Sequence, residues 1–422
     1  MIRSATTRSE IALAIACGAL ATACAGEPGA QDDVSPASLT LTQVEFARPA
    51  KSGEPHLLAT SDGGALLTWL EPVGGDVWAF RLARRGVEGW SEPTTIRESD
   101  AFFVNWADFP SSVEMDDGTI VVLWLERVAD APYAYHVMLS LSDDDGASWS
   151  DPIRLHDDTS PTEHGFVSMT PWEGGAAITW LDGRAMYDPD GEADGGHGGG
   201  AGGAMSARFR TLAPDGALGA EVLLDGRTCE CCQTALAASS RGLVAAYRDR
   251  SETEIRDIAV VRSLGETWSP PVPIAENGWE INGCPVNGPQ LSARGADVVG
   301  AWYTGVGDAP QAYVAFSSDA GESFGPPVRI DEGLPIGRVD VEWIDDGRAV
   351  VTWVEGNDGG ARVMARLVAA DEGLEAPVTV TETTVERASG FPRIARVGSE
   401  VLVVWTVPGD EGGIRVRGIR IE

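Results

Sequence analysis

Apolar residues in this chain come in short runs that end near an aromatic residue, and polar turn residues separate the runs. Each run spans five to seven residues and has no helical period, which indicates a buried strand. The run occurs seven times, at intervals of 51 to 67 residues: ALLTWLE with Trp69, VVLWLER with Trp124, AAITWLD with Trp180, LVAAYRD with Tyr247, VVGAWYT with Trp302, AVVTWVE with Trp353 and VLVVWTV with Trp405. The chain is therefore predicted to consist of seven copies of one β-rich unit.

The segments around each aromatic run keep the same order. A strand and a Gly-containing turn precede the run, and an alternating strand such as VWAFRLARR and a short last strand such as SDPIRL follow it. Four short strands in about 50 residues are typical of a β-propeller blade. We therefore predict an all-β, seven-bladed propeller over residues 38–422.

The last unit contains only three strands before the chain stops. Residues 38–48, SLTLTQVEFAR, alternate as a strand does and precede the first unit. We predict that this N-terminal strand completes the last blade, because such pairing closes the ring and removes two free sheet edges.

Two turns carry a more specific pattern, S-x-D-x-G-x-S followed by an aromatic residue. Its residues are Ser142, Asp144, Gly146, Ser148 and Trp149 in the second unit, and Ser317, Asp319, Gly321, Ser323 and Phe324 in the fifth. The pattern resembles the Asp-box, or BNR repeat, of bacterial sialidase-like β-propellers. The resemblance implies a structural role for these residues and a position away from the active face. It also makes six blades, the usual number in sialidases, the alternative to seven.

The N-terminus predicts export. Residues 1–23 combine Arg3 and Arg8 with a short apolar run, which is typical of a signal peptide and too short for a membrane span. LATAC, ending at Cys24, resembles a bacterial lipobox, which implies lipidation of Cys24; cleavage of an ordinary signal near Ala23 is the alternative. Residues 24–37 are then a polar tether, and the protein is expected in the bacterial cell envelope, on the membrane through its lipid only.

The charge balance limits the partners. The chain has 64 acidic and 31 basic residues, a net charge of −33. Such a surface repels nucleic acid, so none is expected as a partner. The expected ligand is a carbohydrate or a protein at the propeller mouth, and we expect a monomer.

The repeat order places the site. Loops that lead into the first strand of a blade and loops that follow the aromatic run open on the same face, where propellers bind ligands. We predict that this mouth gathers ligand-binding and catalytic side chains: His164, Arg184, Arg248, Arg250, Arg338 and Arg393 for the ligand, and Asp182 and Asp249 as candidate acid or base groups. Buried Asp–Arg pairs that only join blades are the alternative. The Gly-rich segment around His197 is either a lid or a plain insertion.

The sialidase resemblance implies three arginines around a substrate carboxylate, a tyrosine nucleophile paired with a glutamate, and an aspartic acid. Tyr187 and Tyr303 lie in suitable loops. The family's Arg-Ile-Pro motif is absent from the first unit, which has GEPHLLA there. Whether the chain is an enzyme therefore stays open, with an exo-sialidase-like glycoside hydrolase as one alternative.

Cysteines supply the second candidate chemistry. The stretch RTCECCQTALA places Cys229, Cys231 and Cys232 within four residues, at the start of the fourth unit, and Cys284 lies at the start of the fifth. In an exported protein four cysteines predict disulfides, here a staple from the cluster to Cys284 between two blades. The rival hypothesis is a Cu or Zn site formed by these sulfurs and His164. The sequence thus favours a ligand-binding propeller with a cysteine-lined mouth.

Overall fold

The protein is a seven-bladed β-propeller, as predicted. The computed structural model describes residues 38–47, 49–188, 203–345, 347–370 and 373–422. The predicted signal peptide, the tether with Cys24, and the Gly-rich segment with His197 lie outside these residues. Within the described part of the chain, no helix is long and apolar enough to cross a membrane.

Each blade is one antiparallel sheet, and the blades follow one another in chain order. Blade 1 contains β2 (Gly53–Ala59), β3 (Ala65–Gly74), β4 (Val77–Gly86), β5 (Gly89–Trp90) and β6 (Thr94–Ser99). Blade 2 contains β7 (Ser111–Glu114), β8 (Ile120–Arg127), β9 (Tyr135–Ser142) and β10 (Ile153–Arg154). Blade 3 contains β11 (His164–Trp172), β12 (Gly175–Asp182), β13 (Ser206–Leu212) and β14 (Val222–Asp225). Blade 4 contains β15 (Ala235–Ser239), β16 (Gly242–Arg248), β17 (Ile258–Leu264), β18 (Thr267–Trp268) and β19 (Val272–Pro273).

The remaining blades repeat this plan. Blade 5 contains β20 (Gln290–Arg294), β21 (Asp297–Thr304), β22 (Gln311–Ser317) and β23 (Val328–Arg329). Blade 6 contains β24 (Leu334–Asp345), β25 (Arg348–Asn357), β26 (Gly360–Ala369), β27 (Gly373–Leu374) and β28 (Val378–Thr383). Blade 7 contains β29 (Arg393–Val397), β30 (Glu400–Val407), β31 (Gly413–Ile421) and β1 (Leu39–Gln43). Three short 3-10 helices occupy loops: Arg184–Met186, Val306–Asp308 and Arg387–Ser389.

The predicted closure of the ring is confirmed. Strand β1 pairs antiparallel with β31, from Leu39 opposite Ile421 to Gln43 opposite Arg417. Both outer edges of the last blade's C-terminal strand are thus paired within the chain. The inner strands of successive blades contact each other around the ring, and β29 of the last blade contacts β2 of the first.

The second strand of each blade is apolar throughout because neighbouring blades cover both of its faces. Its terminal tryptophan has a repeated polar contact as well: the indole Nε1 donates to a carboxylate two residues further on. This occurs from Trp69 to Glu71 (3.0 Å), Trp124 to Glu126 (3.2 Å), Trp180 to Asp182 (2.9 Å) and Trp353 to Glu355 (3.0 Å). The W-x-[DE] pattern therefore serves to satisfy a buried indole N–H.

The two Asp-box turns have equivalent hydrogen bonds. In the first, the Ser142 hydroxyl donates to Asp144, which also accepts from the backbone N–H of Ser148 at 2.8 Å. In the second, Asp319 accepts from the hydroxyl of Ser317 and from the N–H of Ser323 at 2.9 Å. Gly146 and Gly321 have φ of 83° and 77°, values that favour glycine.

Candidate functional site

The inner strands bend at the same end of the propeller, which is the predicted mouth. Glu54, Phe166 and Arg338 have φ between 52° and 54°, and each lies where the pairing register of an inner strand shifts. Non-glycine residues in this region are strained, and such strain concentrates at functional sites and bends. The bulge directs backbone N–H groups toward the preceding blade.

Those N–H groups are bound by side chains of the preceding blade. The bonds run from Phe166 N to Asp108 (2.7 Å), Gly288 N to Gln233 (3.0 Å), Arg338 N to Asn287 (2.7 Å) and Ile394 N to Asp340 (2.9 Å). Each bond joins two consecutive blades. Asp108 and Asp340 therefore act as links between blades at the mouth.

A cavity of about 280 Å³ lies on the propeller axis inside this ring of bonds. Its wall includes His56, Gln290, Glu342 and Arg393. The Arg393 guanidinium lies 3.2 Å from Asp340 and donates to Gln290 at 3.3 Å. Burial, followed by the charge of Arg393, lowers the pKa of His56 to about 3, so this imidazole is neutral at physiological pH.

The three clustered cysteines converge in the loop that leads into β15. The Cys229 Sγ lies 3.5 Å from the Cys232 Sγ and 4.0 Å from the Cys231 Sγ. All three side chains are buried, whereas Cys284 is half-buried. The backbone N–H of Asn287 donates to the Cys232 sulfur at 3.4 Å, which attaches the cluster to blade 5.

All four described cysteines are free thiols, so the predicted disulfide staple to Cys284 is absent. The sulfur separations in the cluster are well above the disulfide bond length of about 2.05 Å. Blades 4 and 5 are joined here by hydrogen bonds instead of a disulfide, such as the bond that Gln233 accepts from the backbone N–H of Gly288.

Charged groups surround the Cys229 sulfur. The Arg256 guanidinium donates to it at 3.2 Å and to Glu230 at 2.9 Å, and both charged side chains are at most 3% exposed. Bonds from the thiols of Cys231 and Cys232, and then the charges of Arg248 and Arg256, hold the pKa of Cys229 well below its usual value. The cluster therefore contains one sulfur that is stabilised as a thiolate.

The five predicted ligand-binding arginines have separate partners. Arg184 binds the carboxylates of Asp182 and Glu221, and Arg250 binds those of Glu230 and Glu254. Arg248 donates its hydrogen bonds to backbone carbonyls only, and Arg338 donates to Ser389 and to the carbonyls of Gly390 and Glu386. Arg393 binds Asp340 and Gln290. Each guanidinium group is thus bound within the chain. Arg248, Arg338 and Arg393 join neighbouring blades, whereas Arg184 and Arg250 bind within their own blade.

The two candidate acid or base groups differ in ionisation. Burial alone raises the pKa of Asp182, but bonds from Arg184 and Trp180 outweigh it and hold the pKa at about 2. Burial, together with the charges of Asp225 and Asp257, raises the pKa of Asp249 to about 6. Of the two, only Asp249 is suited to donate a proton near neutral pH.

Aromatic and cationic side chains form a second feature of the mouth, the Trp106 platform, defined as Trp106, Phe391, Arg338 and Arg387. The Trp106 ring stacks on Phe391 with centroids 5.7 Å apart, and the Cζ atoms of Arg338 and Arg387 lie 5.0 and 5.9 Å from its centroid. Burial, then the charge of Arg387, lowers the pKa of Arg338 to about 10. The platform is a cationic patch in an acidic protein.

His164 does not join the sulfurs. It stacks on His156 at a centroid distance of 3.7 Å and lies beside His136. Sequence reasoning missed His136 and His156 because they lie in a strand and a loop of the second unit, with no metal-binding spacing. The available signal was that three of the five histidines fall between residues 136 and 164.

Comparisons with known proteins give similarity in fold. No protein-family model matches the chain, and no curated protein matches it. Among solved structures, an ulvan lyase of polysaccharide lyase family PL25, bound to -[GlcA(1-4)Rha3S]-, has a TM-score of 0.50 at 14% identity; the match covers 81% of this chain and 82% of that one. NanB sialidase from Streptococcus pneumoniae, as its K499G mutant, has a TM-score of 0.47 at 12% identity, with 85% and 83% covered. The leech intramolecular trans-sialidase has a TM-score of 0.46 at 11% identity, with 91% and 70% covered.

At these identities the similarity to solved structures is one of fold alone. The comparisons do not assign the residues of a site. Function must be argued from the side chains of the mouth.

Proposed function

We propose that this protein is a ligand-binding propeller whose mouth holds a soft metal ion, Cu(I), on the thiolates of Cys229, Cys231 and Cys232. The single observation that carries the proposal is the convergence of three buried sulfurs within one loop. Thiolate-only sites select Cu(I), Zn(II) and iron–sulfur clusters over hard cations. The lipid anchor at Cys24 and the envelope location are part of the same proposal, because export exposes the site to environmental metal.

The sulfur geometry supports this proposal. Metal–sulfur bonds of about 2.3 Å place the sulfurs of a tetrahedral or trigonal site about 3.8 to 4.0 Å apart. The measured separations from the Cys229 sulfur are 3.5 and 4.0 Å. Small side-chain rotations therefore suffice to hold one ion between them.

The bound complex has a cation beside it. Three thiolates around a monovalent ion leave a net charge of −2, and a buried negative charge needs a compensating partner. The Arg256 guanidinium donates to the Cys229 sulfur and supplies one positive charge there. Cys284 is half-buried and packs against the same cluster of side chains, so in this proposal it receives an incoming ion from solvent.

Anaerobic titration of the reduced full chain with Cu(I), in competition with a chromogenic chelator, tests this proposal. We expect one Cu(I) per chain and a sulfur-only shell by X-ray absorption. Cys229→Ser and Cys232→Ser each remove a direct ligand, so each should weaken binding by more than about 100-fold. Ser240→Ala, which changes an exposed residue in the turn after β15, is the control and should bind as the wild type does. Equal affinity of the Cys232→Ser variant and the wild type would contradict the proposal.

A second candidate function is supported by the Trp106 platform. Sugar rings pack against aromatic faces, and a guanidinium binds a sugar carboxylate through paired hydrogen bonds. Trp106 is partly exposed, Arg387 is exposed, and Arg387 forms no ion pair with any residue that the structure describes. This arrangement favours an anionic glycan at the mouth, either bound only or hydrolysed with Asp249 as the acid.

Calorimetric titration with a glucuronate-containing oligosaccharide tests the glycan candidate. Arg387→Ala removes a charge-assisted bond, so we expect roughly 10- to 100-fold weaker binding. Arg241→Ala, which changes an exposed arginine elsewhere, should leave the affinity unchanged. Release of sialic acid from a reporter glycoside, lost in Asp249→Asn, would indicate a hydrolase; the absence of glycan binding to the wild type would reject this candidate.

A further inference from the structure

Three buried histidines lie together at the junction of blades 2 and 3, in a cluster that the proposed copper site does not use. We name His136, His156 and His164 the histidine cluster. His136 lies in β9, His156 follows β10, and His164 begins β11. Their exposed fractions are 8%, 1% and 0%, and their candidate ligand nitrogens all lie within 4.8 Å of one another.

The hydrogen bonds of two rings fix their tautomers. The Nδ1 atom of His156 lies 2.9 Å from the carbonyl oxygen of Asp158. The Nδ1 atom of His164 lies 3.1 and 3.2 Å from the carbonyl oxygens of Thr162 and Tyr135. Because a carbonyl oxygen only accepts, both Nδ1 atoms carry a proton. The His156 Nε2 accepts from a backbone N–H and so has a lone pair, whereas the His164 Nε2 faces the Asp158 carboxylate and donates to it. An ion held by His164 and Asp158 takes the place of the proton between them.

This arrangement is the one found around metal-binding histidines. A ligating imidazole donates its other N–H to a carbonyl or carboxylate, which orients the ring and fixes the tautomer. The His156 Nε2 has only a long contact, 3.4 Å from the backbone N–H of Val137. The His164 Nε2 lies 3.0 Å from the Asp158 carboxylate and 3.8 Å from that of Asp182.

The third ring supplies an independent observation. The Nδ1 atom of His136 is buried and has no hydrogen-bond partner in the described structure. An unpaired buried polar atom destabilises the fold unless something binds it. A metal ion bound through this nitrogen would satisfy it.

Charge and chemistry indicate which ion. The side chain of Asp158 is 20% exposed and adds a carboxylate beside the three imidazoles. The nearby Arg154 donates its Nε–H to the carbonyl oxygen of His156 at 2.9 Å. Asp182 is already bound by Arg184. Three nitrogens and one oxygen suit a borderline divalent ion, and a closed four-ligand set is typical of structural Zn(II).

We propose that the histidine cluster, with the carboxylate of Asp158, is a structural Zn(II) site that joins blade 2 to blade 3. Zn–N bonds of about 2.0 Å place ligand nitrogens roughly 3.3 Å apart, so the nitrogens move closer than 4.8 Å through rotation of the rings. Bound Zn(II) stabilises the folded chain, because the unfolded chain does not present the ligands together. This site is separate from the copper site and does not depend on it.

Absorption spectra of bound Co(II) distinguish the histidine cluster from the cysteine cluster. Thiolate ligands give strong charge-transfer absorption in the near ultraviolet, whereas a site of nitrogen and oxygen ligands gives only visible d–d bands. We titrate chelator-treated full chain with Co(II), displace it with Zn(II), and follow the midpoint of thermal unfolding. Free thiolates also bind Co(II) and Zn(II), so any charge-transfer band reports the cysteine cluster. In addition we expect the d–d bands of one nitrogen and oxygen site per chain, and a higher unfolding midpoint with Zn(II).

His136→Gln should weaken Co(II) and Zn(II) binding by at least about 100-fold and remove the thermal shift. His56→Gln, which changes a half-buried histidine of the axial cavity, is the matched control and should keep both. X-ray absorption of the Zn(II)-loaded wild type needs no variant, and imidazole scattering is expected there. Zn(II) bound by sulfur alone, failure to bind, or equal affinity of folded His136→Gln and wild type would overturn the proposal.

Discussion

Replacing Arg248 by methionine is expected to lower the free energy of unfolding by about 3 to 5 kcal/mol. The guanidinium is 1% exposed and donates to the carbonyl oxygens of Asn287 (2.7 and 3.0 Å), Arg256 (2.6 Å) and Tyr303 (2.8 Å). It also lies over the Trp279 ring at 4.9 Å. Methionine fills much of the space but leaves these carbonyls without a donor.

Equilibrium urea unfolding measures this effect as a lower midpoint with an unchanged slope. Arg241→Met is the matched control, because Arg241 is an exposed arginine on the same blade, and its effect should be within about 0.5 kcal/mol. A loss below about 1 kcal/mol in Arg248→Met would show that Arg248 is available for a ligand, as the sequence predicted. The structural role assigned here would then be wrong.

The stabilising contribution of Glu54 and Glu342 is expected to fall as the pH rises from about 4.5 to about 8. Burial raises the pKa of Glu54 to about 7. Burial, followed by the charge of Asp340, raises the pKa of Glu342 to about 7. The hydrogen bond from Ser292 and the charge of Arg396 lower the pKa of Glu342 by less than burial raises it. Both groups therefore bind protons more tightly in the folded chain than in the unfolded chain, where the value is 4.5. Their contribution is fully present below pH 4.5 and is lost as the pH passes through 7.

The two shifts together correspond to roughly 2 to 5 kcal/mol after allowance for solvent screening, since both side chains are only partly buried. Urea unfolding at pH 5 and pH 8 measures the loss. Glu342→Gln, which keeps the shape and stays neutral, should remove about half of it, whereas Glu88→Gln on the exposed surface should change nothing. Because the lowered pKa of His56 acts in the opposite direction, the test is the comparison: an equal change in the wild type and in Glu342→Gln over this range would refute the assignment.

The repeat was accessible to sequence analysis because strand, turn and aromatic positions are local patterns that recur seven times. Trp69 and its equivalents marked the blades, and the alternating N-terminal segment predicted the closing strand. Local patterns do not specify side-chain partners, which depend on distances between blades. Arg248 therefore looked like a ligand-binding arginine, although the structure fills its hydrogen bonds with carbonyls from blades 4 and 5.

The candidate site was predicted in part. Cys229, Cys231 and Cys232 were identified because they are adjacent in sequence, and their convergence follows from one loop. His136 and His156 were missed because 20 residues and a change of strand separate them. Their rings meet only when β9, the loop after β10 and β11 pack together.

The amino-acid sequence by itself determined the seven blades and their order, because both follow from a repeated hydrophobic pattern. The tertiary structure alone decided which polar groups are already satisfied and which are not. It paired Asp182 with Arg184, left the four described cysteines as free thiols, and left the Nδ1 of His136 without a partner. Those outcomes depend on distances of a few ångströms between side chains from different blades, which the order of residues along one strand does not fix.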